Sequence, residues 1–109
     1  MRPTGAQRQA EMQQKIQEMQ QAMSDTQASI EAQEFTATVG GGVVSAKVNG
    51  KKEVLAVTIQ PEAVDPEDVE MLQDLVVSAV NEALRQAGEA MDKGMEGITG
   101  SLNLGAFGL

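Results

Sequence analysis

The feature that most constrains the fold is a long segment near the amino terminus that lacks helix-breaking residues. From Gly5 to Gln33 glutamine occurs nine times, and neither glycine nor proline follows Gly5. Its apolar side chains recur at heptad spacing and form a narrow seam: Met12, Ile16, Met19, Met23 and Ile30. The pattern predicts a helix over about residues 5–33 that packs against another helix as in a coiled coil. Such a helix is about 43 Å long, whereas a compact domain of this size has a radius of gyration of about 13 Å, so we expect it to protrude.

The next segment changes to the alternating pattern of β-strands. We predict strands over about residues 34–39, 43–49 and 53–60, with a glycine-rich turn between the first two. Asn49-Gly50 indicates a type I′ hairpin turn, in which both central residues have positive φ. The result is a three-stranded antiparallel meander with one apolar face, which is only marginally stable unless another element covers it.

A second helix is predicted from about residue 66 to about residue 96. Asp65 is the expected N-cap and Pro66 the first helical residue, and the broad apolar stripe that follows suits a helix lying across the sheet. After residue 87 glycines interrupt the apolar stripe, and each glycine destabilises a helix by about 1 kcal/mol relative to alanine. We therefore predict an α+β fold of order α-β-β-β-α, with one domain over residues 1–100 and a flexible tail over residues 101–109.

The composition excludes most catalytic chemistry. The chain has no histidine and no cysteine, which removes imidazole bases, thiolate nucleophiles and the usual zinc ligands. The acidic residues between 62 and 70 lack the spacing of a calcium loop, and the run at 40–42 lacks the Lys-Ser/Thr end of a phosphate loop. We expect no enzyme activity, no metal, no cofactor and no small-molecule substrate. Neither a signal peptide nor a membrane span is indicated, which predicts a soluble cytoplasmic protein.

The net charge of −8 is unevenly distributed along the chain. Residues 1–34 carry three basic and five acidic side chains, residues 35–60 carry three and one, and residues 61–109 carry two and ten. Taken alone this balance argues against a general nucleic-acid binder, because affinity for a duplex comes largely from Lys and Arg at phosphates. In a homodimer, a two-fold axis would nevertheless bring together two copies of each of six basic residues and so create local positive patches. These residues are Arg2, Arg8, Lys15, Lys47, Lys51 and Lys52.

The predicted apolar surface of the sheet and second helix exceeds what one thin domain can cover. We therefore predict an obligate homodimer, because a second copy would remove the remaining apolar surface from water. The candidate interface residues are Leu55, Val57, Ile59, Leu72, Leu75 and Val76.

Several strings in the chain resemble the YbaB/EbfC family of bacterial nucleoid-associated proteins. Met12-Gln13-Gln14-Lys15 in the first helix is similar, and the stretch 41–44 leading into Val48-Asn49-Gly50 is more specific. The most specific match is the stretch 70–76, EMLQDLV, followed by AVNEA at 79–83. The chain departs from the family at Gln60 and Gln73, where the family usually has Asp and Glu. The resemblance covers nearly the whole chain.

The resemblance implies a tweezers-like homodimer with protruding helical arms. Such a protein binds double-stranded DNA with little or loose sequence preference, organises the nucleoid in the cytoplasm and can influence gene expression. The six basic residues named above are then the candidate DNA contacts, with Arg2, Arg8 and Lys15 on the arms expected to matter more than Lys51 and Lys52. An alternative is a prefoldin-like holdase, whose coiled-coil tips bind unfolded or partner segments, since exposed methionines on the first helix would suit that function.

Overall fold

The chain folds as two long helices flanking a three-stranded antiparallel sheet. The computed structural model describes the backbone of residues 5–107 and the side chains of residues 5–98. The elements in chain order are α1 (Gly5–Glu31), β1 (Glu34–Val39), β2 (Val44–Asn49), β3 (Val54–Ile59), a 3₁₀ turn (Pro61–Ala63) and α2 (Val69–Phe107). The predicted α+β class and the order α-β-β-β-α are therefore confirmed.

The core lies between α2 and two of the three strands. The strand order is β1-β2-β3, and every pairing is antiparallel. On β2 the inward side chains are fully buried, as are three alanines of α2 that face them: Val44, Ala46, Val48, Ala79, Ala83 and Ala87. Alanine lets the helix approach the sheet closely, and the helix covers β1 and β2 but barely reaches β3. All six residues of β3 are exposed in the single chain.

Beyond the sheet, α1 packs along α2 to form an arm. Ile30 is the one buried residue among the described side chains of α1, and it lies against Gly94 of α2 together with Thr26. A Cβ atom at Gly94 would lie 3.1 Å from Thr26 Cγ2 and would press on Ile30. The molecule measures 80 × 24 × 16 Å, and its radius of gyration of 21.9 Å confirms the expected protrusion.

The end of α2 differs from the sequence prediction. The helix continues to Phe107 instead of ending near residue 96, so the segment predicted as a tail begins within α2; the flexibility of residues 101–109 stays a prediction. Gly94 explains part of the difference, because this glycine provides a surface for close approach by α1 and does not end the helix. Residues 108 and 109, and the side chains from 99 onward, lie outside the described part.

The start of α2 also differs from the prediction. The N-cap is Asp68, whose Oδ1 accepts a hydrogen bond from the Met71 amide at 3.2 Å. Asp65 instead closes the preceding turn by accepting from the Glu67 amide at 2.9 Å. Pro66 therefore lies in this turn, three residues before the helix begins at Val69.

The hairpin between β2 and β3 is not the predicted type I′ turn. Its central residue Gly50 does not have positive φ, and the left-handed residue is Lys52, with φ 65°. Lys52 N donates to Asn49 O at 3.0 Å, and Asn49 N donates to Glu53 O at 3.0 Å. The loop between the paired residues Asn49 and Glu53 has three residues, one more than the loop of a type I′ hairpin. The left-handed conformation therefore falls on Lys52 and not on Asn49 or Gly50.

Gly50 is required for a different reason, which is close approach of the hairpin to the end of α1. Its amide donates to Gln33 O at 3.1 Å, and a Cβ atom at this position would collide with the carbonyl group of Ile30. The neighbouring atom belongs to the backbone, so it cannot move aside cheaply.

We expect Gly50→Ala to lower the free energy of unfolding by about 2–3 kcal/mol, because the added methyl group forces the hairpin away from α1. Urea denaturation monitored by circular dichroism measures this change. Gly97→Ala is the control, because a Cβ at this helical glycine meets nothing within 4 Å, and it should stabilise α2 by up to about 1 kcal/mol. A Gly50→Ala variant as stable as the wild type would show that the contact with Ile30 can relax.

Candidate nucleic-acid interface

Two of the predicted basic residues lie together on α1. Arg8 and Lys15 are seven residues apart, which places both exposed side chains on the same side of the helix about 10 Å from each other. Glu11 and Glu18 follow each of them by three residues, so positive and negative groups alternate along this side. The sequence prediction considered the basic residues alone. Because acidic groups alternate with them on this side of the helix, the positive electrostatic potential of Arg8 and Lys15 is reduced.

Three of the acidic side chains of α1 accept hydrogen bonds from glutamines of the same helix. Glutamines donate to carboxylates four residues later in three pairs: Gln14 Nε2 to Glu18 Oε1 at 3.5 Å, Gln21 Nε2 to Asp25 Oδ1 at 2.8 Å and Gln27 Nε2 to Glu31 Oε1 at 3.0 Å. Over residues 5–98, no ion pair within 4.0 Å involves Arg8 or Lys15. Their charged groups are therefore available to an anion such as a phosphate.

Three further basic residues lie at the other end of α1, around the β2–β3 hairpin. Lys47 is on the outward face of β2, where its Nζ is 3.7 Å from Glu34 Oε2, and both side chains are largely exposed. An exposed pair of this kind contributes little to stability and can exchange partners. Lys51 and Lys52 are exposed at the tip of the hairpin, and neither forms an ion pair with another described side chain.

The structure thus places the predicted contacts in two groups. The hairpin tip adjoins the carboxyl end of α1 through the hydrogen bond from Gly50 to Gln33. Lys15 is sixteen residues before Glu31, which corresponds to about 24 Å along the helix. Arg2 lies outside the described residues. The five candidate basic residues that the structure describes therefore do not form a single patch in one chain.

Helix α2 carries an ion-pair network that the sequence interpretation missed. Arg85 pairs with Glu82 at 2.7 Å and with Glu89 at 2.8 Å, and Lys93 pairs with Glu89 at 2.8 Å. The hydrogen bond from Arg85 lowers the pKa of Glu82, and those from Lys93 and Arg85 lower the pKa of Glu89. The spacings of three and four residues were the available signal. Both basic residues of α2 are engaged by acids, so this helix offers no free cation for phosphate within residues 69–98.

The candidate dimer residues also divide into two sets. Val57 and Ile59 are paired across the sheet with the buried Ala46 and Val44, so they lie on the face that α2 covers elsewhere. They are nevertheless 39% and 38% exposed, and Leu55 is 46% exposed, because α2 does not extend over β3. The other three candidates are partly buried against the core of the same chain: Leu72, Leu75 and Val76.

Other binding features are few in the described part of the chain. The groove between α1 and α2 is open and shallow, and polar residues such as Asp25, Thr26 and Ser29 contribute to its lining. The described residues contain no group of three or more His, Cys, Asp or Glu placed to hold a metal ion. None of the described helices is long and apolar enough to cross a membrane.

These features define a class of protein: an elongated α+β chain in which a helical arm projects from a small, partly covered sheet. Residues 6–102 match the profile described as the YbaB/EbfC DNA-binding family, and the chain belongs to this family. This family consists of nucleoid-associated DNA-binding proteins and is not a known family of enzymes. The family resemblance found in the sequence is confirmed.

The relatives are similar over most of their length. The chain is 51% identical over 100 residues to a nucleoid-associated protein of Alkaliphilus metalliredigens, covering 92% of this chain and 88% of that one. It is 58% identical over 88 residues to a nucleoid-associated protein of Clostridium acetobutylicum, covering 81% and 79%. An uncharacterized protein from Helicobacter pylori has the same fold in its crystal structure, with a TM-score of 0.64, 23% identity and coverage of 84% and 92%.

Proposed function

We propose that this protein binds double-stranded DNA as a homodimer, with little or loose sequence preference, and organises the nucleoid in the cytoplasm, with consequences for gene expression. The observation that carries the proposal is the family match over residues 6–102, together with the name nucleoid-associated protein that its relatives bear. The projecting arm with Arg8 and Lys15 supports it, because these cations are exposed and have no acidic partner within ion-pair distance among the described residues.

The uncovered part of the sheet supports the homodimer. A Cβ atom at Gly40, the residue after β1, would lie 3.0 Å from Leu75 Cδ2, so we infer that Leu75 is on the β1 side of α2 and that Val76 and Val80 are on the flank nearer β3. We define the β3 surface as this flank together with the exposed apolar residues of the strand: Leu55, Val57, Ile59, Val76 and Val80. The strand itself, VLAVTI, contains no charged residue that would discourage association. A second copy placed about a two-fold axis would bury both β3 surfaces and complete a shared core.

The distribution of charge restricts how a duplex can approach. The segment 61–109 carries ten acidic and two basic residues, and both basic residues are paired with acids. A phosphate backbone would be repelled along that helix, so contact is more favourable on α1 and at the hairpin. A dimer would double the acidic groups as well as these basic groups, so binding would depend on the local positive potential on α1 and at the hairpin and not on the net charge.

The test is fluorescence anisotropy of a labelled mixed-sequence duplex over a salt series. A dimer would present up to six basic side chains to the phosphates, two copies each of Arg2, Arg8 and Lys15. Each neutralised phosphate contributes about −0.9 to the slope of log K against log salt, so full engagement predicts a slope near −5 and partial engagement a slope of about −2 to −4. Binding should be micromolar or tighter in dilute salt and should weaken as salt increases. Absence of binding at about 50 mM salt, or binding without salt dependence, would contradict this function.

A second candidate function is favoured by the exposed apolar seam of α1. Met12 is 65% exposed, Ile16 44% and Met23 42%, and methionine adapts well to varied apolar partners. The candidate is a holdase that binds unfolded protein segments along the arm. Suppression of the aggregation of an unfolded client, in the absence of duplex binding, would favour this alternative over DNA binding.

A further inference from the structure

The tip of the β2–β3 hairpin holds a lysine in a backbone conformation that lysine rarely adopts. Lys52 has φ 65°, and it is the one non-glycine residue with positive φ among those described. This conformation is unfavourable for a residue with a Cβ atom, whereas glycine adopts it freely. The other positive-φ positions of the described backbone, residues 40–42, are all glycine. A lysine at position 52 therefore reduces stability relative to a glycine.

The contacts of Lys52 within the fold do not require a lysine. Its hydrogen bond to Asn49 O comes from the backbone amide, which a glycine also has. Its Nζ lies 3.8 Å from the position that a Cβ of Gly88 would occupy, and its side chain is exposed. The adjacent carboxyl end of α1 is a structural feature that would favour a cation here, through the helix dipole.

The hairpin tip is well held by hydrogen bonds. Asn49 Oδ1 accepts from the amides of Lys51 at 2.9 Å and Glu53 at 3.0 Å, and the Gly50 amide donates to Gln33 O at 3.1 Å. These bonds fix the tip against the junction of α1 and β1. Two adjacent ammonium groups are thus displayed from a preorganised loop, which lowers the entropy lost when an anion binds.

We propose that the Lys51-Lys52 tip is a phosphate-contact element for the duplex backbone, and that Lys52 is retained in its strained conformation for this contact. The inference rests on the proposed function, and it makes the hairpin a second contact zone at the base of the arm, about 24 Å from Lys15 along α1. Lysine suits this role because its ammonium contacts phosphate without reading the base sequence.

The test is Lys52→Gly, studied by urea denaturation and by duplex anisotropy over a salt series. Glycine relieves the strain, so the unfolding midpoint should rise. Loss of one phosphate contact per copy should weaken duplex binding on the order of tenfold at about 100 mM salt and make the salt slope shallower by about 1.8 per dimer. Lys52→Arg keeps both the charge and the strain, and it should retain wild-type affinity and slope.

The outcomes separate this inference from the function on which it rests. A Lys52→Gly protein that binds duplex with wild-type affinity and slope overturns the inference alone. A glycine variant that is less stable and still binds normally also overturns it, and assigns Lys52 to the dipole of α1. Failure of the wild-type protein to bind duplex at any salt concentration overturns both proposals. A more stable variant with weaker, less salt-dependent binding supports the inference.

Discussion

Val57→Asp is expected to dissociate the proposed homodimer into monomers. The side chain of Val57 lies in the middle of the β3 surface, opposite the buried Ala46. A carboxylate buried there without a partner costs about 2–3 kcal/mol, and the two-fold axis introduces two of them. Together they should raise the dissociation constant of the dimer about 10³- to 10⁴-fold. Sedimentation velocity over a dilution series measures this change.

The control for this variant is Thr58→Asp. Thr58 is the next residue on β3, and its side chain is exposed on the opposite face of the sheet. The Thr58→Asp substitution therefore introduces the same charge and a similar loss of strand propensity outside the proposed interface. It should leave the dimer largely intact. A Val57→Asp protein with the mass and dilution behaviour of the wild type would show that the β3 surface is not the interface between copies.

Replacing both Arg8 and Lys15 with glutamate is expected to abolish duplex binding. The double variant turns four cations per dimer into four anions on the side of α1 that we propose to face the phosphates. Each lost phosphate contact removes about one unit from the slope of log K against log salt. The affinity for the duplex should therefore fall at least about 100-fold at about 50 mM salt. Both side chains are exposed and lie outside the apolar seam, so circular dichroism should show unchanged helicity.

A matched pair of variants separates position from total charge. Arg8→Gln with Lys15→Gln changes the charge of each chain by −2, and so does Gln13→Glu with Gln20→Glu. The second pair lies about 140° around the helix from the first, on the other side of the apolar seam. We expect a clearly larger loss of affinity from the first pair. Equal losses would show that the duplex responds to the net charge of the arm and that Arg8 and Lys15 make no direct contact.

Much of the fold was predictable because its signals are local. The heptad spacing of Met12, Ile16 and Met19 is a property of one helix, and the alternation in β1 and β2 is a property of single strands. The order of elements follows directly from these patterns, as does the excess length of α1. The absence of histidine and cysteine likewise limits the possible chemistry through composition alone.

The candidate site was less predictable, because it depends on where separate segments meet. Arg8 and Lys15 are evident in the sequence, but Glu11 and Glu18 lie beside them only once the segment is wound into a helix. Lys51 belongs to the same set of basic residues by composition, although about 24 Å of helix separates Lys15 from the hairpin at the base of the arm.

The sequence by itself determined the type and order of the elements, while the tertiary structure decided what each glycine does and which apolar residues remain exposed. In the sequence, Gly50 is a turn signal and Gly94 a helix-weakening residue, but both allow close approach by α1, a segment distant in the chain. Exposure of Val57 and Ile59 depends on how far α2 extends across the sheet. Periodicity records which face of an element is apolar, and only packing between elements determines how much of that face is covered.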